Sequence, residues 1–161
     1  MNPSLLDLAK ERVVFFDGAM GTMLMARGLE SGNIPEQLNV DRPDRVREIH
    51  SLYYEAGADV VHTNTFGGSP IKLAGLGAGE RTADFNTRAA RLAREVCPEG
   101  KFVAGDMGPT GKMIAPMGDV TAEQLVASFQ AQAEALLSGG ADFISIETMF
   151  SLDEALAAVA G

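Results

Sequence analysis

The sequence predicts an α/β fold built on a parallel sheet, and three observations support this prediction. Short apolar segments that suit buried strands alternate with longer segments whose apolar residues recur at helical spacing. Two of the turns that connect a helix to the next strand have matching sequences, at residues 56–65 and 139–148. The chain has 161 residues, 46% of them hydrophobic, which is enough for one ordinary core.

The first two predicted strands are separated by a helix. Residues 13–16 form an apolar run of β-branched and aromatic residues, which suits a strand buried on both faces. Ser4 is positioned to cap a short leucine-containing helix before it. Residues 43–56 place apolar side chains at helical spacing, begin with proline and end before Gly57, so a helix is expected there. The second strand is expected at residues 60–64.

The middle of the chain continues this alternation. Residues 66–79 are rich in glycine and proline and are predicted to be a loop. A helix is expected over residues 83–96, where apolar side chains follow one face, and a third strand at residues 102–104. Residues 105–111 contain too many glycines for regular structure, so a second loop is expected there.

Two capping-box patterns mark the remaining helices. Thr121 with Gln124 predicts the start of one helix, and Ser151 with Glu154 predicts the start of the last. The fourth strand is expected between these helices, at residues 143–146. The complete order is therefore four units of strand followed by helix, which indicates a parallel sheet.

The internal repeat favours one parallel fold over another. Residues 56–65 (AGADVVHTNT) align without gaps with residues 139–148 (GGADFISIET), so Asn64 and Glu147 occupy equivalent strand ends. A helix followed by Gly-Ala-Asp and a strand is the connection expected in a (β/α) barrel of the TIM type, and a doubly wound sheet is the alternative. Because an eightfold barrel takes about 250 residues, we expect residues 1–161 to supply only the first four βα units.

Composition narrows the class of ligand. The 22 acidic residues outnumber the 13 lysines and arginines, giving a formal net charge of −9 that argues against a nucleic-acid partner. No apolar stretch reaches the ~18 residues of a membrane span and the start does not resemble a leader, so a cytoplasmic protein with no membrane partner is expected. The single cysteine, Cys97, forms no internal disulfide and no Cys-x-x-Cys metal site. A small-molecule site is therefore expected.

Polar and small residues follow each predicted strand. They are Asp17 with Gly18, Ala19 and Met20; Asn64 with Thr65; Asp106; and Glu147. In parallel α/β folds, ligands bind where the C-terminal strand ends meet. Carboxylates there suit an ammonium group, and glycines let backbone N–H groups approach a carboxylate, so an amino acid is the expected ligand. The alternative is that each acidic side chain caps the helix that follows it.

Two other features favour a structural interpretation. The glycines and lysine of residues 105–112 have the spacing of neither a dinucleotide-binding turn nor a phosphate-binding loop. His62 lies inside the second predicted strand, so its side chain is expected in the packed interior or at the floor of the pocket, in a structural role.

Five segments closely resemble the homocysteine S-methyltransferase family. They are DGAMGTML at 17–24, IHSLYYEAGAD at 49–59, TNTFG at 63–67, GDMGPTG at 105–111 and GADFISIET at 140–148. The motifs occur in the family's order over nearly the whole chain, and the resemblance is strongest to the homocysteine-binding module of cobalamin-dependent members. It implies a (β/α)8 barrel that transfers a methyl group to the thiol of homocysteine, forming methionine.

The resemblance also implies particular roles for residues of this chain. In the family, zinc on three cysteine thiolates binds the sulfur of homocysteine and makes the thiolate available at neutral pH. By the matching motifs, Glu147 faces the substrate ammonium group. The residues implied to form the rest of the substrate-binding rim are Asp17, Gly18, Ala19, Met20, Asn64, Thr65 and Asp106.

The family's zinc-binding cysteines have no counterpart here. They lie in the later strands of the barrel, and Cys97 matches none of them, so the zinc ligands are expected beyond Gly161 and the isolated chain is expected to be inactive. Methylcobalamin or methyltetrahydrofolate is expected on other modules, with a methyl-donor module or corrinoid protein as partner. Unpaired strand edges predict self-association of half-barrels.

Two other functions remain alternatives. One is a non-catalytic half-barrel that binds an amino acid or serves assembly. The other is a different barrel enzyme such as an aldolase, which would need a strand-end lysine for a Schiff base, and no predicted strand ends in lysine.

Overall fold

A computed structural model describes residues 4–30 and 32–161. Its strands are β1 Val60–His62, β2 Phe102–Met107 and β3 Phe143–Ile146. Its α-helices within the described residues are α1 Leu5–Glu11, α2 Met20–Met25, α3 Leu38–Asp41, α4 Pro43–Glu55, α5 Pro70–Gly75, α6 Thr82–Glu95, α7 Ala122–Ser138 and α8 Leu152–Ala160. Short 3-10 turns occupy Pro35–Gln37 and Gly79–Arg81.

The strands form one parallel sheet in the order β1-β2-β3. Val61 pairs with Val103 across the first two strands, and Asp106 pairs with Ser145 across the second two. Helices alternate with these strands along the chain, which confirms the predicted α/β fold with a parallel sheet. The arrangement is consistent with a TIM barrel.

The first predicted strand is largely wrong. Within residues 13–16, Phe16 alone makes a β-bridge, with Val60, and the Phe15 carbonyl accepts from the Asp59 N–H at 2.7 Å. Val13, Phe15 and Phe16 are 70%, 60% and 45% exposed, so the segment is not buried on both faces. It lies at the edge of the sheet, where pairing with β1 on one side leaves its apolar side chains uncovered.

The predicted loop at residues 105–111 is wrong for its first three residues. Gly105, Asp106 and Met107 extend β2, because all three pair in register with β3. A Cβ on Gly105 would lie 3.0 Å from side-chain atoms of Leu136 and Ile144. The glycine therefore allows α7 and β3 to pack closely on this strand.

The predicted loop at residues 66–79 contains a short helix, α5. The Ser69 hydroxyl accepts from the Lys72 N–H at 3.3 Å, and Pro70 occupies the first turn. Both features start helices, but the surrounding glycines obscured them in the sequence. The helices expected around residues 43–56 and 83–96 are confirmed as α4 and α6, and the Ser4 cap of α1 is confirmed.

The two predicted capping boxes have different outcomes. At the start of α7, Thr121 and Gln124 exchange both expected hydrogen bonds. At the start of α8, the Ser151 hydroxyl accepts from the Glu154 N–H at 3.1 Å. The Glu154 carboxylate instead accepts from the N–H and hydroxyl of Thr110, at 2.9 and 2.7 Å. This side chain therefore joins α8 to the loop after β2.

The internal repeat has the same backbone conformation in both copies. Gly57 and Gly140 have φ angles of +107° and +105°, a region that favours glycine. The aspartate of each copy accepts a hydrogen bond from the segment that precedes it in the sheet. The donors are the N–H groups of Phe15 for Asp59, at 3.0 Å, and of Val103 for Asp142, at 2.7 Å. The repeated turns thus bring successive strand ends to one edge.

The main apolar core lies where α7 and α8 cover the sheet. Its fully buried members include Met107, Leu125, Phe129 and Leu136. A second cluster around Leu24, Val46 and Ile49 packs α2 against α4. Within the described part of the chain, no helix is long and apolar enough to cross a membrane.

Candidate functional site

A cleft of about 520 Å³ opens at the C-terminal ends of the strands. Its size is typical of a small-molecule site. All eight residues predicted to bind substrate line it: Asp17, Gly18, Ala19, Met20, Asn64, Thr65, Asp106 and Glu147. The structure therefore brings the predicted residues together in one cleft, while their roles toward a substrate stay predictions.

Asp17 lies at the edge of this cleft with both carboxylate oxygens occupied. Its Oδ2 accepts from the His62 N–H at 2.9 Å, and its Oδ1 lies 2.8 Å from His62 Nδ1. The Asp17 side chain is only 1% exposed. This carboxylate is therefore fixed by β1 and is not open to an arriving ligand.

His62 lines the cleft and links two sides of the sheet. Its Nε2 lies 3.1 Å from the Ser145 hydroxyl on β3, opposite the contact with Asp17. Burial lowers the pKa of His62, but the hydrogen bond to Asp17 and the charges of Asp17, Asp106 and Glu147 raise it by more, so the net pKa lies above its ordinary value. The site favours the imidazolium form.

Asp106 is 5% exposed, and its Oδ1 has no hydrogen-bond partner among the described residues. Burial and then the charge of Glu147 raise the pKa of Asp106 to about 8, although His62 opposes the shift. The carboxyl group is therefore mostly protonated at neutral pH while the cleft is empty. A cation placed beside it would favour its ionised form.

Thr63, Asn64 and Thr65 build the wall between β1 and β2. The Thr65 hydroxyl donates to the Asp106 carbonyl at 2.7 Å, and the Asp106 N–H donates to the Thr63 hydroxyl at 2.9 Å. The Asn64 amide donates to the carbonyl of Pro35 at 2.8 Å and to Asn39 at 3.0 Å. These contacts hold the strand ends in place.

Glu147 presents a different environment. It is half-buried, and none of the described residues donates a hydrogen bond to its carboxylate. Its backbone N–H donates to the Met107 carbonyl at 3.1 Å, which fixes its position at the end of β3. The next residue, Thr148, has a φ of +58°, which is rare for a β-branched side chain. Glu147 is thus a positioned carboxylate with open hydrogen-bonding capacity.

The turn after Asp17 brings backbone N–H groups to the cleft. α2 begins here with Ala19 at the N-cap position, which makes no side-chain capping bond. The first N–H groups of a helix have no partner within the helix. A Cβ on Gly18 would lie 3.0 Å from the Tyr53 hydroxyl oxygen, and that hydroxyl donates to the Ala19 carbonyl at 3.3 Å. Glycine therefore allows the tyrosine to support this turn.

Sequence motifs did not reveal Glu36, a third buried carboxylate of the cleft after Asp17 and Asp106. It is 3% exposed and accepts from the Gly67 N–H at 2.6 Å. Burial raises the pKa of Glu36 despite this bond. Lys72 lies nearby, 5.0 Å from the centre of the Phe66 ring. Glu36 lies in a 3-10 turn far from any strand end, so the one available signal, its place just after Pro35, did not connect it to the cleft.

The described residues do not fit a three-thiolate zinc site. Across residues 4–30 and 32–161, no group of three His, Cys, Asp or Glu side chains is arranged to hold a metal ion. Cys97 follows α6 and packs with Tyr54, whose hydroxyl donates to the Phe102 carbonyl at the start of β2. The thiol is therefore at the other end of the sheet from the cleft.

These features define a parallel α/β protein with a small-molecule cleft at its C-terminal strand ends. The profile of the homocysteine S-methyltransferase family matches residues 14–161, and the chain belongs to this family. The family predicted from the five sequence segments is thereby confirmed.

Two curated relatives are methionine synthases. Those of Mycobacterium tuberculosis and Mycobacterium leprae are 39% and 37% identical to this chain. Each alignment has 171 positions, gaps included, and covers 98% of this chain. The chain spans 14% of the length of each of them.

Crystal structures of the homocysteine methyltransferase MmuM from Escherichia coli are also similar. The oxidized form aligns with a TM-score of 0.81 and 28% identity, covering 95% of this chain and 59% of MmuM. The metallated form aligns with a TM-score of 0.78, covering 93% and 59%. The parallel α/β architecture is thus shared with a homocysteine methyltransferase.

Proposed function

We propose that this chain binds homocysteine in the strand-end cleft and supplies the amino-acid-binding part of a homocysteine S-methyltransferase that forms methionine. The main support is that Glu147, a carboxylate without a hydrogen-bond donor among the described residues, lines the same cleft as the uncapped start of α2. These two features match the two charged ends of an amino acid. Family membership supplies the substrate class.

The ammonium group is proposed to bind Glu147. Asp17 is less suitable, because both of its oxygens are used by His62 and its side chain is buried. Asp106 lies close enough to Glu147 for the charges to interact and has an unpartnered Oδ1, but its carboxyl group is mostly protonated, so it is the weaker acceptor. An ammonium group beside Glu147 would form a charge-assisted hydrogen bond with that carboxylate.

The carboxylate group is proposed to bind backbone N–H groups at the turn of Gly18, Ala19 and Met20. These groups lack partners within the helix, and the helix N-terminus has a partial positive charge. The absence of a side chain at Gly18 keeps the backbone accessible. Asn64 and Thr65 are proposed to shape the pocket wall, since their described hydrogen bonds are made within the protein.

The methyl-transfer chemistry is proposed to need groups that the described residues do not supply. Zinc-binding thiolates would come from sequence beyond Gly161, in a complete (β/α)8 barrel of which residues 1–161 form the N-terminal half. Methylcobalamin or methyltetrahydrofolate would be held by other modules or by a corrinoid partner protein, in the cytoplasm. On this proposal the present chain binds the substrate and is inactive alone.

Calorimetric titration of the chain with L-homocysteine tests the proposal. Glu147→Gln should weaken binding by roughly 10- to 100-fold, the loss expected for a charge-assisted hydrogen bond. Glu99→Gln is the matched control, because Glu99 is exposed and does not line the cleft. Equal affinities of the wild-type and Glu147→Gln proteins would show that Glu147 does not bind homocysteine.

A non-catalytic assembly module is the second candidate, favoured by apolar side chains at both edges of the sheet. Phe15 and Phe16 are exposed beside β1, and Leu152 and Val159 are exposed on α8, which follows β3. If these surfaces serve assembly, light scattering should show a dimer or larger species. A monomer at all concentrations would exclude the assembly function. Homocysteine binding by that monomer would then support the first proposal.

A further inference from the structure

We infer that His62 is a positioning residue of the amino-acid site, which binds Asp17 and thereby leaves Glu147 as the carboxylate that receives the substrate ammonium group. This inference rests on the proposed function. It adds the reason why the ammonium group binds Glu147 and not Asp17.

The contacts between His62 and Asp17 occupy the whole carboxylate. The backbone N–H of His62 donates to Oδ2 at 2.9 Å, and Nδ1 lies 2.8 Å from Oδ1. The Asp17 side chain is 1% exposed, whereas the His62 side chain is 19% exposed. A ligand in the cleft therefore meets the imidazole ring before it meets the carboxylate behind it.

The ring is also held at its far side. Nε2 lies 3.1 Å from the Ser145 hydroxyl, so the imidazole contacts both the segment before α2 and strand β3. The Phe16 ring packs with its centroid 5.3 Å from that of His62. With both nitrogens engaged and one face packed, the ring has little freedom to release Asp17.

The charges of the cleft determine which carboxylate receives the ammonium group. The charged groups that act on His62 are Asp17 from the segment before α2, Asp106 from β2 and Glu147 from the end of β3. One imidazolium among these carboxyl groups neutralises the one it binds. Because Asp106 is mostly protonated in the empty cleft, Glu147 remains as the open negative charge.

Removal of the imidazole should redistribute the binding of the ammonium group. In His62→Ala, Asp17 loses the Nδ1 contact and becomes accessible through the space that the ring leaves. The ammonium group then has a second ionised carboxylate to bind, that of Asp17, so the loss of Glu147 costs less affinity. His62 and Glu147 should therefore be energetically coupled even though their roles differ.

A double-mutant cycle with L-homocysteine tests this coupling. We expect Glu147→Gln to cost roughly 10- to 100-fold in affinity in the wild-type background but less than about threefold in the His62→Ala background. Equal losses in both backgrounds would overturn the inference while leaving the proposed function intact. No loss in the wild-type background would instead overturn the proposed function.

Imidazole NMR of the ligand-free chain gives a second test that does not depend on His62→Ala folding. The chain has two histidines, and burial lowers the pKa of His50 to about 4, so His50 is an internal control. We expect His62 to titrate above the ordinary value of about 6.5, and Asp17→Asn to lower its midpoint by about one pH unit or more. A His62 midpoint that Asp17→Asn does not change would overturn the pairing and the inference with it.

Discussion

The two copies of the internal repeat share a backbone but deliver different side chains to the cleft. Asn64, at the end of the first copy, is buried and donates to Pro35 and Asn39. Glu147, at the equivalent position of the second, is half-buried, and no described residue donates to its carboxylate. One scaffold therefore holds a hydrogen-bonded amide at one strand end and, at the next, a carboxylate to which no described residue donates.

The same contrast applies to the aspartates at the other end of the repeated strands. The Asp59 side chain is 2% exposed and contacts Arg12 at 2.8 Å and Lys101 at 2.7 Å. The Asp142 side chain is 36% exposed and contacts only Arg94 among the described cations, at 2.6 Å. The first copy is therefore anchored by a buried carboxylate that pairs with two partly exposed cations, and the second by a surface pair.

The largest effect on stability is expected at Asp59. Asp59→Asn should lower the free energy of unfolding by about 3 kcal/mol, because it removes the charge of a buried carboxylate that pairs with two cations. Asp142→Asn, its equivalent in the repeat, should cost no more than about 1 kcal/mol, the scale of exposed pairs. Urea unfolding followed by circular dichroism measures both. Similar losses would contradict the difference between the two copies.

Low pH should reduce the stability that Asp59 contributes. The hydrogen bond from Arg12, followed by those from Lys101 and Phe15, holds the pKa of Asp59 well below its ordinary value despite burial. A depressed folded-state pKa gives stability that is complete above the unfolded pKa of about 4 and is lost as the pH falls toward the folded pKa. The stability difference between wild type and Asp59→Asn should therefore shrink below about pH 4.

A smaller effect on stability is expected at Asn64. Asn64→Ala should lower the free energy of unfolding by about 2 kcal/mol, because it removes one buried and one partly buried hydrogen bond and leaves the buried Asn39 Oδ1 without a donor. Glu147→Gln should change stability by less than about 0.5 kcal/mol, since none of the described residues donates a hydrogen bond to its carboxylate. Thermal unfolding of the two variants compares them. A large stability loss in Glu147→Gln would make that residue structural.

The sequence predicted which residues line the cleft better than it predicted the first strand. Asp17, Asn64, Asp106 and Glu147 meet in one cleft because parallel strands necessarily bring their C-terminal ends to one edge. That inference needs only the order of elements. The exposure of Phe15 could not be predicted in this way, because burial depends on what covers a segment in three dimensions.

Long-range contacts explain the other differences between the predicted and the observed structure. Gly105 belongs to β2 because β3 pairs with this strand and α7 packs on it, and glycine content alone predicted a loop. Glu36 reaches the cleft through a hydrogen bond from Gly67, and His62 gains its role from Asp17, 45 residues earlier. Sequence motifs report neighbours along the chain, whereas these contacts join residues far apart in it.

The role of Glu147 is tested most directly by measuring the affinities of the chain for homocysteine and for 4-mercaptobutanoate, which lacks only the amino group. If Glu147 receives the ammonium group, the wild-type chain should bind homocysteine roughly 10- to 100-fold more tightly than the analogue. In Glu147→Gln that preference should disappear, through weaker homocysteine binding and unchanged analogue binding. A preference for homocysteine that persists in Glu147→Gln would contradict the account.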